Sequence, residues 1–223
     1  MKNYVVLDFE MCKVPKGARC SEYHKANEII QIGAVLLDEE YKMIGEFNKY
    51  IKPKYGKLDS FISSFTGIKW DALSEASSLE EVLKEFSEWI PEGEVWMVAW
   101  SDSDQNQLYG EMAAKNVHNQ RLEELSDFWI DSQKIYSEKV DNSRNYSLSE
   151  ALVACDIDTK GRAHDGLSDA YNTGLLFAKL MTETELKLNS FYMEAKKEET
   201  SHLSCSLGDL LAGFNFGESG SDK

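Results

Sequence analysis

The sequence predicts an α/β domain in which helices flank a mixed β-sheet. Three observations support this fold class: apolar strands come first along the chain, strands and amphipathic helices alternate after them, and 223 residues suffice for one domain with an appendage. These patterns run through residues 1–181. Residues 182–223 are predicted to form a C-terminal helical extension and tail.

The first predicted strand runs from Tyr4 to Met11 and is apolar except for two carboxylates. Side chains alternate between the two faces of a strand, so Asp8 and Glu10 share one face and Phe9 lies on the other. Two like charges on a buried strand are costly unless a counter-charge, usually a divalent cation, compensates them. Asp8 and Glu10 are therefore candidate metal ligands, although such an isolated pair equally suits a strand end that reaches solvent.

Two further apolar strands follow, over residues 29–37 and 43–51, and the acidic turn between them predicts a hairpin. A helical region is predicted over residues 58–70. Ser-x-x-Glu segments at residues 78–81 and 147–150 have the spacing of a capping box, in which the serine begins a helix. Apolar residues at helical spacing follow each box.

In the second half of the chain, acidic residues stand where helices begin. An apolar strand over residues 95–100 runs into Asp102 and Asp104, at the start of a predicted helix. A late helix begins after His164 and carries Asp169 in its first turn. The remaining predicted elements are a short strand over residues 127–130, a helix capped by Asp131, and a helix from Thr182 to about residue 197.

The chain is acidic, with 24 Lys and Arg against 39 Asp and Glu and a net charge of −15. Affinity for long nucleic acids comes from clustered basic residues that neutralise phosphates, so this balance argues against a protein that coats nucleic acid by bulk electrostatics. An enzyme that holds only a chain end, with metal ions as its main positive charge, is compatible with it. The locally basic loop over residues 12–27 is either a phosphate contact or a solvated loop.

Composition also predicts the setting in which the protein works. No apolar run reaches the roughly 20 residues of a membrane-spanning helix, and the N-terminus enters a strand directly. We therefore expect no membrane association, no signal peptide and a cytoplasmic protein. The four cysteines are scattered and expected to be reduced. Cys12, Cys20 and His24 lie close together but lack the Cys-x-x-Cys spacing typical of a zinc site.

Four acids and one histidine form a candidate catalytic set. They are, in chain order, Asp8, Glu10, Asp104, His164 and Asp169. Taken singly, the later members are equally interpretable as a helix cap, a first-turn acid and an exposed loop residue. As a set they suit phosphodiester hydrolysis, in which two Mg²⁺ or Mn²⁺ ions roughly 3.5 to 4 Å apart activate a water and stabilise the leaving 3′ oxygen. A neutral histidine would take the proton of that water. Hard oxygen ligands favour these ions over zinc.

These residues lie in motifs that resemble a known family. The segments Asp8–Glu10, Asp104–Leu108 and His164–Asp169 resemble, in this order, the three motifs of the DEDDh 3′ to 5′ exonuclease superfamily. Within it the chain looks closest to the KapD-type and histone-mRNA-end exoribonuclease branch, through Trp129–Asp131 and the helix that follows Ser147. The resemblance covers about residues 4–181. It implies a ribonuclease H-like fold, with a five-stranded mixed sheet flanked by helices.

The same resemblance implies roles for individual residues. It makes Asp8, Glu10, Asp104 and Asp169 ligands of two Mg²⁺ or Mn²⁺ ions, and His164 the general base. The match through Leu108 favours Asp104 over Asp102 in the second motif, and a contribution from Asp102 stays open. Candidate substrate contacts are Phe9 and Met11, beside the acids, and Thr66, which the resemblance places near the terminal nucleotide. The alternative for Phe9, burial on the opposite face of the strand, is favoured.

The expected function is metal-dependent 3′ to 5′ exonuclease activity on single-stranded nucleic acid, with release of nucleoside 5′-monophosphates. The branch resemblance favours RNA over DNA. Two alternatives are a DNA-directed proofreading-type exonuclease and a non-catalytic regulatory or interaction protein on the same fold. A protein partner could bind through residues 182–223, and the sequence predicts no oligomeric state.

Overall fold

The computed structural model describes residues 2–19, 23–140 and 144–190 of the chain. Five strands form one sheet: β1 (Lys2–Lys13), β2 (Asn27–Leu37), β3 (Met43–Tyr50), β4 (Glu94–Ala99) and β5 (Trp129–Asp131). Their order is β3-β2-β1-β4-β5. β2 pairs antiparallel with both β1 and β3, whereas β4 runs parallel to both β1 and β5. The predicted mixed five-stranded sheet and the predicted hairpin are confirmed.

Helices flank this sheet. Within the described residues they are α1 (Ser60–Thr66), α2 (Trp70–Ser74), α3 (Leu79–Trp89), α4 (Asp102–Lys115), α5 (Gln120–Glu124), α6 (Ser132–Val140), α7 (Leu148–Ala154) and α8 (Gly166–Thr182). Both predicted capping boxes are present, at the starts of α3 and α7. No helix in the described part of the chain is long and apolar enough to cross a membrane.

Within the predicted helical region, residues 58–70, α1 ends at Thr66 and α2 begins only at Trp70. α1 ends at Thr66 because Gly67 follows it with a φ of 80°, in the left-handed conformation that commonly terminates helices. α2 begins again at Trp70, after an extended Lys69. Glycine adopts the left-handed conformation without the steric cost that other residues incur, so Gly67 accounts for the break.

The central strand β1 is buried on both faces. Val5, Leu7 and Phe9 belong to a core cluster that includes residues of α3 and α4. Tyr4 and Val6 belong to another cluster, which includes Phe177 of α8. The alternation predicted from the sequence is therefore confirmed, and it directs Asp8 and Glu10 towards the face that α8 covers.

The predicted start of a new helix at Thr182 is wrong. α8 ends at Thr182, residues 183–189 contain no helix, and Ser190, the last described residue, is helical. The Thr182 hydroxyl donates back to the Ala178 carbonyl over 2.7 Å, so it does not cap a following helix. Leu186 and Leu188 instead pack against the core cluster of α7 and α8, two residues apart as in extended backbone. The rest of the predicted extension, residues 191–223, lies outside the described residues.

Candidate active site

Three of the predicted metal ligands converge on one point of the α8 face of the sheet. Carboxylate oxygens of Asp8, Glu10 and Asp169 lie within 4.8 Å of one another. Asp8 and Glu10 come from β1, and Asp169 lies in the first turn of α8. The register of β1 against β2 shifts directly after Glu10, and such bulges re-aim side chains beside functional sites. The convergence makes this point the candidate active site.

Asp104 adjoins the three clustered acids from a different element. It lies in the first turn of α4 and is 5% exposed. Its Oδ1 accepts a hydrogen bond of 3.1 Å from the backbone N–H of Phe9, which stands between Asp8 and Glu10. Asp102, two residues earlier, is exposed to solvent. The structure therefore gives Asp104, rather than Asp102, a contact with the strand that carries the other acids.

A close approach between two glycines brings α8 to the site. Gly33 of β2 lies opposite Asp8 in the β1/β2 ladder. A Cβ atom on Gly33 would lie 2.0 Å from the carbonyl carbon of Gly166, the first residue of α8. Position 33 must therefore be glycine for α8 to begin this close to the sheet. Asp169 follows within the same helical turn and so reaches Asp8 and Glu10.

The clustered carboxyl groups resist ionisation. Burial raises the pKa of Asp8 well above its usual range, and the charges of Asp104 and Glu10 raise it further. Burial and the charge of Asp169 raise the pKa of Glu10 to about 7. Burial also raises the pKa of Asp104 to about 6 and increases that of Asp169. Their ionised forms are mutually destabilising unless a positive counter-charge is present.

The donor set fits a divalent cation. Within the described residues, the group of converging ligand atoms consists of carboxylate oxygens, the hard ligands that Mg²⁺, Mn²⁺ and Ca²⁺ prefer. Asp8, Glu10 and Asp169 would hold such an ion, with Asp104 beside them. A bound cation would also offset the repulsion that adds to burial in raising the pKa values of Asp8 and Glu10.

Without metal, we expect the free energy of unfolding to fall as the pH rises from 5 to 8. Folding raises the pKa of Glu10 from 4.5 to about 7 and the pKa of Asp104 from 3.8 to about 6. The folded state therefore binds more protons across this range, and stability is lost as they dissociate. Glu10→Gln should make this pH-dependent loss of unfolding free energy smaller by on the order of 3 kcal/mol.

Chemical denaturation in EDTA at pH 5 and pH 8 measures this effect in the parent and in Glu10→Gln. Adding Mn²⁺ should restore more stability at pH 8 than at pH 5, because the cation compensates ionised carboxylates. The same pH dependence in both proteins would contradict the assignment of Glu10 as a repelled, buried acid.

His164 lies on the solvent side of the site. It has a left-handed backbone, with a φ of 62°, in the loop before α8. Its backbone N–H donates to Oδ2 of Asp169 over 2.8 Å. Its exposed ring stacks on Phe65 of α1, with ring centroids 3.7 Å apart and planes inclined by 23°. The backbone of His164 is thus tied to a candidate metal ligand, while its side chain is held against α1.

Arg162 joins the same loop to the end of α1. Its Nη2 donates to the carbonyl oxygens of Ser64 and Phe65, the latter over 3.1 Å. Gly67 leaves room for this guanidinium, since a Cβ atom there would lie 2.1 Å from Nη1 of Arg162. Gly67 therefore both ends α1 and admits the side chain that anchors the His164 loop.

The three predicted substrate contacts have different surroundings. The Phe9 ring is 5% exposed in the core, as the favoured alternative expected, and its backbone N–H is engaged by Asp104. Thr66 is 4% exposed, and its hydroxyl donates to the Ile62 carbonyl and accepts from the Ile68 N–H. Met11 is partly buried. In this structure the ring of Phe9 and the hydroxyl of Thr66 serve the fold.

Two aromatic residues that the sequence did not single out as substrate contacts are more exposed to solvent than Phe9 and Thr66. Phe61 and Phe65 of α1 are 62% and 42% exposed, and their rings stack with centroids 5.6 Å apart. A pair of phenylalanines one helical turn apart among serines was a signal for an exposed aromatic surface. The stack continues through Phe65 to His164, so it leads into the candidate site.

A family model described as Exonuclease (RNase_T) matches residues 5–177. The chain belongs to this exonuclease family. The match includes the four acids and His164, and it confirms the resemblance to the DEDDh exonucleases.

Among the relatives of this chain, the ERI1 exoribonuclease 2 of Danio rerio is 30% identical over 203 residues. The match covers 80% of this chain and 35% of the relative. The 3′-5′ exonuclease Snipper of Drosophila melanogaster is 28% identical over 207 residues, which are 82% of this chain and 71% of the relative. The chain thus spans about a third of the Danio rerio protein.

Solved structures share the fold. Cell-death related nuclease 4 superposes with a TM-score of 0.66 at 24% identity, covering 83% of this chain and 65% of the other. The nuclease domain of 3′hExo, a DEDDh family member bound to rAMP, superposes with a TM-score of 0.64 at 24% identity, covering 84% and 96%. At this level of identity the likeness concerns the architecture, and it confirms the ribonuclease H-like exonuclease fold.

Proposed function

We propose that this protein is a metal-dependent 3′ to 5′ exonuclease that acts on single-stranded nucleic acid, prefers RNA and releases nucleoside 5′-monophosphates. The observation that carries the proposal is the convergence of carboxylate oxygens from Asp8, Glu10 and Asp169 within 4.8 Å, in a chain of the exonuclease family. Asp104 is hydrogen-bonded to the strand between the first two acids, and His164 adjoins Asp169.

In this proposal each residue of the site has a distinct role. Asp8, Glu10, Asp104 and Asp169 would hold two Mg²⁺ or Mn²⁺ ions, which when bound would polarise the scissile phosphate and lower the pKa of the attacking water. His164 acts as the general base and accepts the proton of that water at its imidazole. Its stack on Phe65 and its backbone hydrogen bond to Asp169 hold the ring beside the acids.

The preference for RNA draws support from the relatives, and the single-stranded substrate draws support from the surface of α1. The Danio rerio relative is named an exoribonuclease. In this chain Phe61 and Phe65 present exposed, nearly parallel rings, inclined by 14°. Nζ of Lys13 lies 5.9 Å from the Phe61 ring centroid. Exposed rings beside a basic side chain are a common way to hold unpaired bases.

Digestion of RNA and DNA single strands of equal sequence tests the proposal. The substrates carry a 5′ label and are incubated with Mg²⁺, with Mn²⁺ and with EDTA. We expect a metal-dependent ladder that shortens from the 3′ end, faster on RNA, with nucleoside 5′-monophosphates as products. Faster digestion of DNA would favour the DNA-directed alternative. No shortening with either metal would overturn the proposal and favour a binding protein.

Replacing Phe61 by alanine should raise the KM for single-stranded RNA by roughly 5-fold or more, because stacking on an aromatic ring is worth about 1 to 3 kcal/mol per base. The kcat should change little, since Phe61 lies one helical turn from the residue that contacts His164. Steady-state kinetics on a labelled oligonucleotide measure both constants.

Phe128→Ala is the matched control for Phe61→Ala. Phe128 is 44% exposed and packs its ring against Trp96 instead of α1. Its removal should leave KM unchanged. Equal KM values in the parent and in Phe61→Ala would exclude the α1 rings as an RNA contact.

A further inference from the structure

Gln31 is a fully buried polar residue that lies next to the candidate active site and is not one of the five catalytic candidates. It is 0% exposed and lies opposite Glu10 in the β1/β2 ladder. Its Nε2 donates to Oδ1 of Asp165 over 2.9 Å and to Oδ1 of Asn48 over 3.0 Å. Its Oε1 accepts a hydrogen bond of 3.2 Å from the backbone N–H of Gly166. Both ends of the amide are therefore engaged.

Two of these three contacts lead directly to the start of α8. Asp165 is the N-cap of α8, and its Oδ2 accepts from the backbone N–H and the hydroxyl of Ser168, over 3.2 and 2.7 Å. Gly166 is the first residue of the helix and packs against Gly33. Gln31 thus fastens the first turn of α8 to the strand beside Glu10, and that turn carries Asp169.

We propose that Gln31 and Asp165 form a positioning pair that holds Asp169, and with it the backbone of His164, at the correct distance from Asp8 and Glu10. This inference rests on the proposed function, because it concerns the same site. The pair needs one donor and one acceptor at residue 31: the donor meets the Asp165 carboxylate, and the acceptor meets the Gly166 N–H. An amide supplies both, whereas a carboxylate at residue 31 would face Asp165 without a proton between them.

Gln31→Met tests the pair by removing its hydrogen bonds at nearly constant side-chain length. Partners that orient metal ligands are typically worth 10- to 100-fold in activity or metal affinity, so we expect kcat to fall by about that factor. The KM for single-stranded RNA should stay within about threefold, since Gln31 is buried away from the substrate. Affinity for Mn²⁺, measured by the electron paramagnetic resonance of free Mn²⁺, should fall by about 10-fold or more.

A rescue test exchanges the amide and the carboxylate groups between residues 31 and 165. Gln31→Glu should be impaired at least as strongly as Gln31→Met. Combining it with Asp165→Asn restores a donor opposite the carboxylate and conserves the net charge, and asparagine remains a good N-cap for α8. The double variant should be at least about tenfold more active than Gln31→Glu alone. A double variant no more active than Gln31→Glu would overturn the pairing.

Asn119→Leu separates positioning from a general loss of stability. Asn119 is partly buried and donates to Leu83 and Ser87, away from α8. Its replacement should lower the thermal stability while leaving kcat and Mn²⁺ affinity at parent values. A Gln31→Met protein with parent kcat and parent Mn²⁺ affinity would overturn the proposal, as would losses in Asn119→Leu equal to those in Gln31→Met.

The Mn²⁺ measurement also distinguishes a failure of the proposed exonuclease function from a failure of the positioning pair. If the parent protein does not shorten RNA, the proposed function fails. Weaker Mn²⁺ binding in Gln31→Met, with recovery in the exchanged pair, would then still support the positioning role. Equal Mn²⁺ affinity in all these proteins would overturn it.

Discussion

Replacing Asp8 by asparagine should lower the rate of RNA shortening by at least about 10³-fold. Burial and neighbouring charges raise the pKa of Asp8 well above its usual range, so ionising this acid without metal is costly, and a bound cation would offset that cost. Asparagine keeps the shape and removes that charge. Single-turnover digestion with saturating Mn²⁺ measures the loss.

The same substitution should stabilise the metal-free protein at pH 8, because Asp8 is ionised in the unfolded chain and must be protonated, or buried as a repelled charge, when the protein folds. Thermal unfolding in EDTA at pH 8 should therefore give a higher midpoint for Asp8→Asn than for the parent. A gain in stability with a loss of activity separates a ligand from a residue that serves the fold. Asp102→Asn, at an exposed acid of α4, is the control and should resemble the parent in both measurements. Parent activity in Asp8→Asn would refute its role as a metal ligand.

Replacing His164 by asparagine should lower the rate by about 10² to 10⁴-fold, the usual contribution of a general base. Asparagine is the suitable replacement because His164 has a φ of 62°, a conformation that asparagine tolerates and alanine does not. The backbone hydrogen bond to Asp169 is then retained. Affinity for Mn²⁺ should stay at the parent value, because the imidazole stacks on Phe65 and the ligand set consists of carboxylates.

His118→Asn provides the control for that substitution. The His118 side chain is 76% exposed and pairs with Glu123, away from the candidate site. Its replacement should change neither the rate nor the Mn²⁺ affinity. A parent rate in His164→Asn would exclude the general-base role, whereas weakened Mn²⁺ binding would indicate that His164 acts by positioning Asp169.

The strand that carries Asp8 and Glu10 could be predicted because alternation is a local property. Val5, Leu7 and Phe9 were expected on one face and the two acids on the other, and the two core clusters confirm this division. The capping boxes at α3 and α7 were predictable for the same reason, since a box spans one helical turn. The family resemblance also placed a turn at residues 66–68, and Gly67 ends α1 there.

The contacts of Thr66 and His164 could not be predicted from strand alternation or helix capping. Thr66 was a candidate substrate contact, but packing directs its hydroxyl onto the backbone of α1, whereas the burial of Phe9 was the favoured alternative and followed from the alternation along β1. The stack of His164 on Phe65 joins residues from different parts of the chain. No periodic pattern encodes such a contact, because it depends on how α1 and the loop before α8 pack against the same sheet.

By itself the sequence determined most of the elements, the order of the five catalytic candidates and the resemblance to an exonuclease family. Tertiary structure decided which of these residues meet. Asp169 reaches Asp8 because Gly33 and Gly166 allow α8 to begin against the sheet, and Gln31 is joined to Asp165 across the same contact. Alternation and capping act over a few residues of backbone, whereas these contacts arise from close packing between elements far apart in the chain.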